Sequence, residues 1–308
     1  MTFSAQTKRE LCRIEPESVC CYLAELSGII CASGSIILRG HGEKRLSIET
    51  ENNALARRTF KLFKKVFEIS PELVTLQHAR LGGKNTYRLN LSSEDAEFVL
   101  EGCGIDMSKR AVPKDVTSRK CCRKAFLRGV FLACGSVTDP GKDYHLELVL
   151  NDEGFADALQ RFIQSRFELN AHKTERRGMF LLYFKGQEAI TDTLSIMGAQ
   201  KARFAMDELI IKKDLRNRAN RAVNCDSANV QRTISAAEKQ RISIERVLGG
   251  GRRHELSPEM LEAAQLRLAN PELSLEELGK LCDPPIGKSG IYHRLQKIER
   301  MAAETEGA

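Results

Sequence analysis

Ten cysteines and six histidines are the side chains of this 308-residue chain best suited to bind a metal or attack a substrate. Their spacing does not favour either role. No C-x-x-C pair occurs, and the doublets Cys20-Cys21 and Cys121-Cys122 lack the separation that zinc ligands on one segment need. The histidines show no H-x-x-x-H pattern. "IGKSG" at 286–290 hints at a phosphate loop, but Cys282 stands where the first glycine of that loop belongs, and "CDPP" before it is not a strand. The cysteines therefore read as small core residues, with no metal site and no cofactor expected.

Hydrogen-bond donors suited to an anionic polymer are more prominent. Residues 209 to 253 hold eleven Lys or Arg and four Asp or Glu, a net +7 that equals the net charge of the whole chain. Within this predicted helix Asn217, Asn220, Arg221 and Asn224 share one face, and Arg216 and Arg218 lie beside it. Such side chains suit phosphates and base edges. Further on, Ser257-Pro258 opens a helix with its cap and first residue. "SLEE" at 274–277 is a capping box opening a short helix through Leu281. "CDPPIG" breaks it, and a last helix runs from about Lys288 to Met301. Leu261 and Leu268, then Leu275, Leu278 and Leu281, then Ile291, Leu295 and Ile298, are the expected apolar faces. Three short helices with a tight break before the last make a helix-turn-helix. Lys288, Ser289, Tyr292, His293, Arg294 and Lys297 lie off the last stripe, with no acid before Glu299, as a major-groove helix requires.

The elements upstream repeat. "CCYLAELSGIICASGSI" from Cys20 aligns with "CCRKAFLRGVFLACGSV" from Cys121 over 17 residues, eight of them identical. Residues 18–32 read as a helix with Ser18 at its N-cap. Ala24, Gly28 and Ala32 form a small-residue stripe, matched by Ala125, Gly129 and Ala133. Glycine inside a helix costs about 1 kcal/mol against alanine, and small stripes let two backbones approach. The two copies are thus expected to pack on each other. Each copy is followed by two strands, an amphipathic helix, a hairpin (with Gly82-Gly83 in the first turn) and a closing helix, so each half reads αββαββα. The fold class expected is α+β with antiparallel sheets, followed by an all-α domain. The expected domains are 1–205 (halves about 10–105 and 115–200), a basic helical linker 206–253, and a helix-turn-helix domain 254–308. No run of 18 uncharged apolar residues exists, and the N-terminus has no apolar signal core. A cytoplasmic protein with reduced thiols is expected.

The segments "LSGIICASGS" and "LRGVFLACGS" resemble the LAGLIDADG helices of homing endonucleases, over roughly residues 10 to 200. That resemblance implies paired sheets forming a saddle over DNA and an acidic metal ligand near the end of each helix. Ser33 and Cys134 stand at those places, with Cys31 and Leu132 at the motif's other acidic position. Mg²⁺ wants carboxylate oxygens, so no catalytic residue is expected. Asp139, in "TDPG", reads as a turn residue. With "NRANRAVNCDSANVQRT" and "SLEELGKLCDPPIGKSGIYHRLQKI" in order after the doubled motif, the chain is identified as resembling the WhiA family. What this implies is a bacterial, nucleoid-associated, non-enzymatic transcriptional regulator tied to cell division, chromosome segregation and sporulation. Double-stranded DNA is its expected partner, together with other transcription or cell-division proteins, and no membrane. The rival readings are a nuclease with replacement metal ligands and a nucleic-acid or protein interaction scaffold.

Overall fold

A computed structural model describes residues 1–16, 18–38, 44–77 and 85–304. The expected Gly82-Gly83 turn lies outside these residues. The chain divides into two compact units, Met1–Lys212 and Lys213–Ala308.

The first unit begins with a helix the sequence pattern did not reveal, α1 (Phe3–Leu11). It then repeats one order twice: α2 (Val19–Ser33), β1 (Gly34–Leu38), β2 (Lys44–Thr50), α3 (Asn53–Phe67), β3 (Glu72–Gln77), β4 (Asn85–Asn90) and α4 (Ser93–Gly102), then α5 (Lys120–Cys134), β5 (Gly135–Val137), β6 (His145–Leu150), α6 (Glu153–Phe167), β7 (His172–Arg176), β8 (Met179–Lys185) and α7 (Gln187–Met197). Each half forms a four-stranded antiparallel sheet, in the orders β1-β2-β4-β3 and β5-β6-β8-β7. The fold is α+β, with a duplicated αββαββα unit. Period-two burial places Leu146, Leu148 and Leu150 of β6 and Leu182 and Phe184 of β8 on the inward face.

The local signals recur between the halves. Asn52 caps α3 by accepting from the Ala54 amide at 2.9 Å, and Asp152 caps α6 by accepting from the Phe155 amide at 2.7 Å. Each helix ends in a left-handed glutamate, Glu68 (φ 62°) and Glu168 (φ 59°), in the matching strings "VFEI" and "RFEL". Ser18 occupies the N-cap place of α2 in extended conformation, yet its side chain makes no capping bond.

α2 and α5 form the centre of this unit. Ala24, Gly28 and Ala32 are buried, as are Ala125 and Gly129, and Ala133 is half-buried. A Cβ on Gly28 would collide with the carbonyl oxygen of Phe126, and one on Gly129 with that of Glu25. Both positions need glycine because the partner's backbone occupies the space. Across this contact lies a buried ion triad. Glu25 is fully buried. Its carboxylate accepts from Arg58 Nε at 2.8 Å and Nη2 at 3.3 Å, and from Arg128 Nε at 2.9 Å.

One helix, α8 (Gln200–Gly249), crosses the unit boundary. It starts earlier than the expected 206, and the end of the expected linker belongs to the second unit's core, since Ile244 and Val247 are buried there. Gly251 (φ 76°) turns the chain into a short 3-10 segment, Arg252–Glu255. Then come α9 (Pro258–Ala269), α10 (Leu275–Lys280) and α11 (Lys288–Glu304). Ser257 caps α9, and Ser274 with Glu277 forms both bonds of the capping box of α10. Ile291, Leu295 and Ile298 are buried as the stripe requires. The faces of α9 and α10 differ from the reading by leucines. Ala263, Ala264 and Arg267 are the buried residues of α9, Leu261 and Leu268 are half-buried, and Leu281 is exposed. The buried Arg267 caps the α9–α10 turn, donating to the Leu273 carbonyl at 2.7 Å.

Candidate nucleic-acid interface

The break between α10 and α11 is fixed by backbone contacts. The Ile286 amide donates to the Gly279 carbonyl at 2.9 Å, and a Cβ on Gly279 would strike the Ile286 carbonyl oxygen. The Asp283 amide donates to Glu262 Oε1 at 2.8 Å, tying the same turn to α9. These contacts set the direction of α11. With Ile291, Leu295, Ile298 and Ala302 turned inward, Lys288, Ser289, Tyr292, His293 and Lys297 are exposed on the outer side. Tyr292 and His293 meet edge to face at 5.6 Å.

Arg294 departs from the expected group. It is half-buried, and its Nη1 donates to Glu262 Oε2 at 3.1 Å. Helical geometry explains this: the residue before Leu295 flanks the core stripe on the side facing α9. Two donors were missed. Gln296 donates to the Tyr292 hydroxyl at 3.2 Å, and Arg300 donates to Gln296 at 3.5 Å. The successive i, i+4 steps from Tyr292 to Gln296 and from Gln296 to Arg300 were the available signal. On α8, Arg216, Asn217, Arg218, Asn220, Arg221 and Asn224 are all exposed. Arg221 Nε donates to the Asn217 carbonyl at 3.3 Å, which holds the guanidinium along the helix.

The outer faces of the two sheets differ from α11 in their charge pairing. On the first, Arg88 meets Glu49 at 2.6 Å and Arg45 meets Glu72 at 3.8 Å. On the second, the His145 and His172 rings stack on Tyr183 at 5.7 and 5.3 Å, and Glu147 accepts from Ser136 at 3.0 Å. This ring column was invisible to motif reading because its members lie on three strands.

At the C-terminal ends of α2 and α5, Ser33 donates to the Ile29 carbonyl at 2.9 Å and the Cys134 thiol to the Val130 carbonyl at 3.3 Å. Burial pushes the Cys134 thiol up to about 12. Each helix end also has a cation beside it. Arg110 Nη2 donates to the Gly34 carbonyl at 2.8 Å. The Lys8 ammonium lies over the Phe131 ring at 5.9 Å, near Cys134, and burial lowers its pKa. Cations at helix C-termini complement the macrodipole and repel a metal ion. Asp139 accepts from the Gly141 amide at 2.8 Å within its own turn.

Comparison with known proteins matches this arrangement segment by segment. Residues 19–106 match the WhiA N-terminal LAGLIDADG-like domain, 123–216 the WhiA LAGLIDADG-like domain, and 219–302 the WhiA C-terminal HTH domain. A protein of Alkaliphilus metalliredigens described as "Probable cell division protein WhiA" is 39% identical over 100% of this chain and 99% of its own length. One of the same description from Heliobacterium modesticaldum is 39% identical over 98% of this chain and 96% of its own. The crystal structure of full-length DUF199/WhiA from Thermatoga maritima is similar with a TM-score of 0.61 and 26% identity, covering 99% of each chain. No helix among the described residues is long and apolar enough to cross a membrane. Matched by the family's three domains in order and by a relative along its whole length, the chain belongs to the WhiA family.

Proposed function

We propose that this protein is a non-enzymatic, sequence-specific DNA-binding regulator of cell division, acting also in chromosome segregation and sporulation and working in the cytoplasm at the nucleoid. The observation that carries the reading is the outer side of α11, where Lys288, Ser289, His293 and Lys297 stand exposed on a helix whose direction is fixed by the turn before it. Such a helix reads base edges in the major groove. Arg294 is assigned to the α9–α11 joint rather than to a base, because Glu262 holds it. The exposed arginines of α8 supply phosphate contacts, which position the protein and carry no sequence information. The cations beside Ser33 and Cys134 support the absence of metal-dependent cleavage. Residues 1–205, 206–253 and 254–308 remain the proposed working divisions, and other transcription or cell-division proteins the proposed further partners.

The test is duplex binding at one salt concentration after genome-wide crosslinking has supplied the preferred site. His293→Ala with Lys297→Ala should cost about 1–3 kcal/mol on that site and far less on scrambled DNA. Replacing Arg216, Arg218 and Arg221 by Ala should weaken both duplexes alike and shrink the slope of log K against log salt by about 0.9 per lost contact. Equal losses from both sets would overturn the division of labour.

A further inference from the structure

The four cysteines that spacing dismissed come together in space. Cys20 and Cys21 are the second and third residues of α2, and Cys121 and Cys122 hold the same places in α5. The four Sγ atoms all lie within 4.8 Å of one another, with Cys121 and Cys122 at 3.9 Å. We propose that these four thiols form a binding site for one Zn²⁺ ion, clamping the first turn of α2 to the first turn of α5.

The geometry suits that ion. Four sulfurs in a tetrahedron at zinc–sulfur distances of about 2.3 Å stand about 3.8 Å apart. The doublet in α5 already has that separation, and contracting the widest pair takes roughly 1 Å, within reach of small side-chain rotations. A set of four soft thiolates without oxygen or imidazole selects zinc over hard cations. Zinc rules written for one segment miss such a site, because each ligand pair here is a doublet and the second pair comes from the duplicate 101 residues away.

Two helix N-termini and one guanidinium adjoin the four thiols. Neither α2 nor α5 has a side-chain cap, so no capping side chain competes with the sulfurs for the positive dipole end of either first turn. Arg119 Nη1 lies 3.9 Å from Cys20 Sγ, an outer charge for a tetrathiolate site of net −2. Cys21 and Cys122 are buried, Cys20 is half-buried and Cys121 exposed, which gives a closed inner side and an entry path. Zinc binds the thiolate form, so loading releases protons and binding strengthens as pH rises.

The experiment uses the full-length chain, purified reduced and without a metal-affinity tag. Elemental analysis should find about one zinc per chain. Exchange with Co²⁺ should give the visible bands and sulfur-to-metal charge transfer of a tetrahedral tetrathiolate. Cys121→Ser should weaken zinc binding by more than the roughly tenfold that loss of an outer-shell partner costs, while Cys225→Ser, exposed on α8, should leave it unchanged. Should Cys121→Ser misfold, the wild type still decides: stripping with a chelator should lower Tm, and zinc alone should restore it. A folded, reduced wild type that takes up neither zinc nor cobalt overturns the proposal. So does an iron–sulfur chromophore, a Cys–Cys bridge within the cluster under reducing purification, or full zinc retention in Cys121→Ser.

Discussion

Replacing Glu25 by Gln keeps the size of the side chain and removes one charge. Its carboxylate is fully buried and faces two guanidinium groups, Arg58 (Nε at 2.8 Å) and Arg128 (Nη2 at 2.8 Å), which are themselves nearly buried. Arg58 keeps a second acid, the exposed Glu15 at 3.2 Å. Arg128 keeps only the Met197 carbonyl at 3.3 Å among its described partners. One glutamine oxygen can still accept, but its amide nitrogen must point at a cation. Breaking a buried pair from one side costs about 3–5 kcal/mol because the remaining charge stays desolvated. With a urea dependence of about 3 kcal/mol per molar, the midpoint falls by roughly 1–2 M. Tyrosine fluorescence reports this transition, since four of the five tyrosines precede residue 213 and the chain has no tryptophan. Adding Arg128→Met to Glu25→Gln should recover part of the loss, and replacing all three ions by apolar residues should come near to neutral. A loss under about 1 kcal/mol for Glu25→Gln would refute the reasoning, because it would mean that water reaches the triad.

Gly129→Ala should destabilise, although alanine in a helix normally gains about 1 kcal/mol over glycine. The added methyl meets the Glu25 carbonyl, so a rise in Tm would disprove the close approach. Alkaline pH should loosen the first unit. Burial pushes Cys31, Cys103 and Cys134 each up to about 12, so their contribution is complete below the ordinary thiol range and is lost as pH climbs toward 12. Denaturation midpoints measured between neutral and strongly alkaline pH should fall for wild type and fall less for the triple Ala variant. Parallel curves would assign the loss to other groups.

The duplicated helix, the αββαββα order and the stripe of α11 were legible because each rests on periodicity or repetition along the chain. α1 was not, because its nine residues carry too few apolar positions for a period to show. The burial of Arg267 and the exposure of Leu281 depend on which neighbour approaches, and a list of leucines contains no such information. Arg294 sits one residue from the core stripe, where a small rotation decides between groove and joint; its partner Glu262 is 32 residues away. The cysteine cluster and the His145–Tyr183–His172 column are assembled from separate elements, so no spacing rule could reveal them.

The cations at the ends of α2 and α5 also bear on how this lineage can change. An aspartate placed at position 33 would stand next to the carbonyl that Arg110 grips, and one at position 134 would stand near Lys8. Each new carboxylate would find a salt-bridge partner already in place and would be neutralised before a metal could use it. A metal site at these two places would thus demand replacing both cations as well as adding both acids. A chain with only one of these changes would gain an ion pair without gaining any chemistry, so selection for cleavage would have nothing to act on along the way.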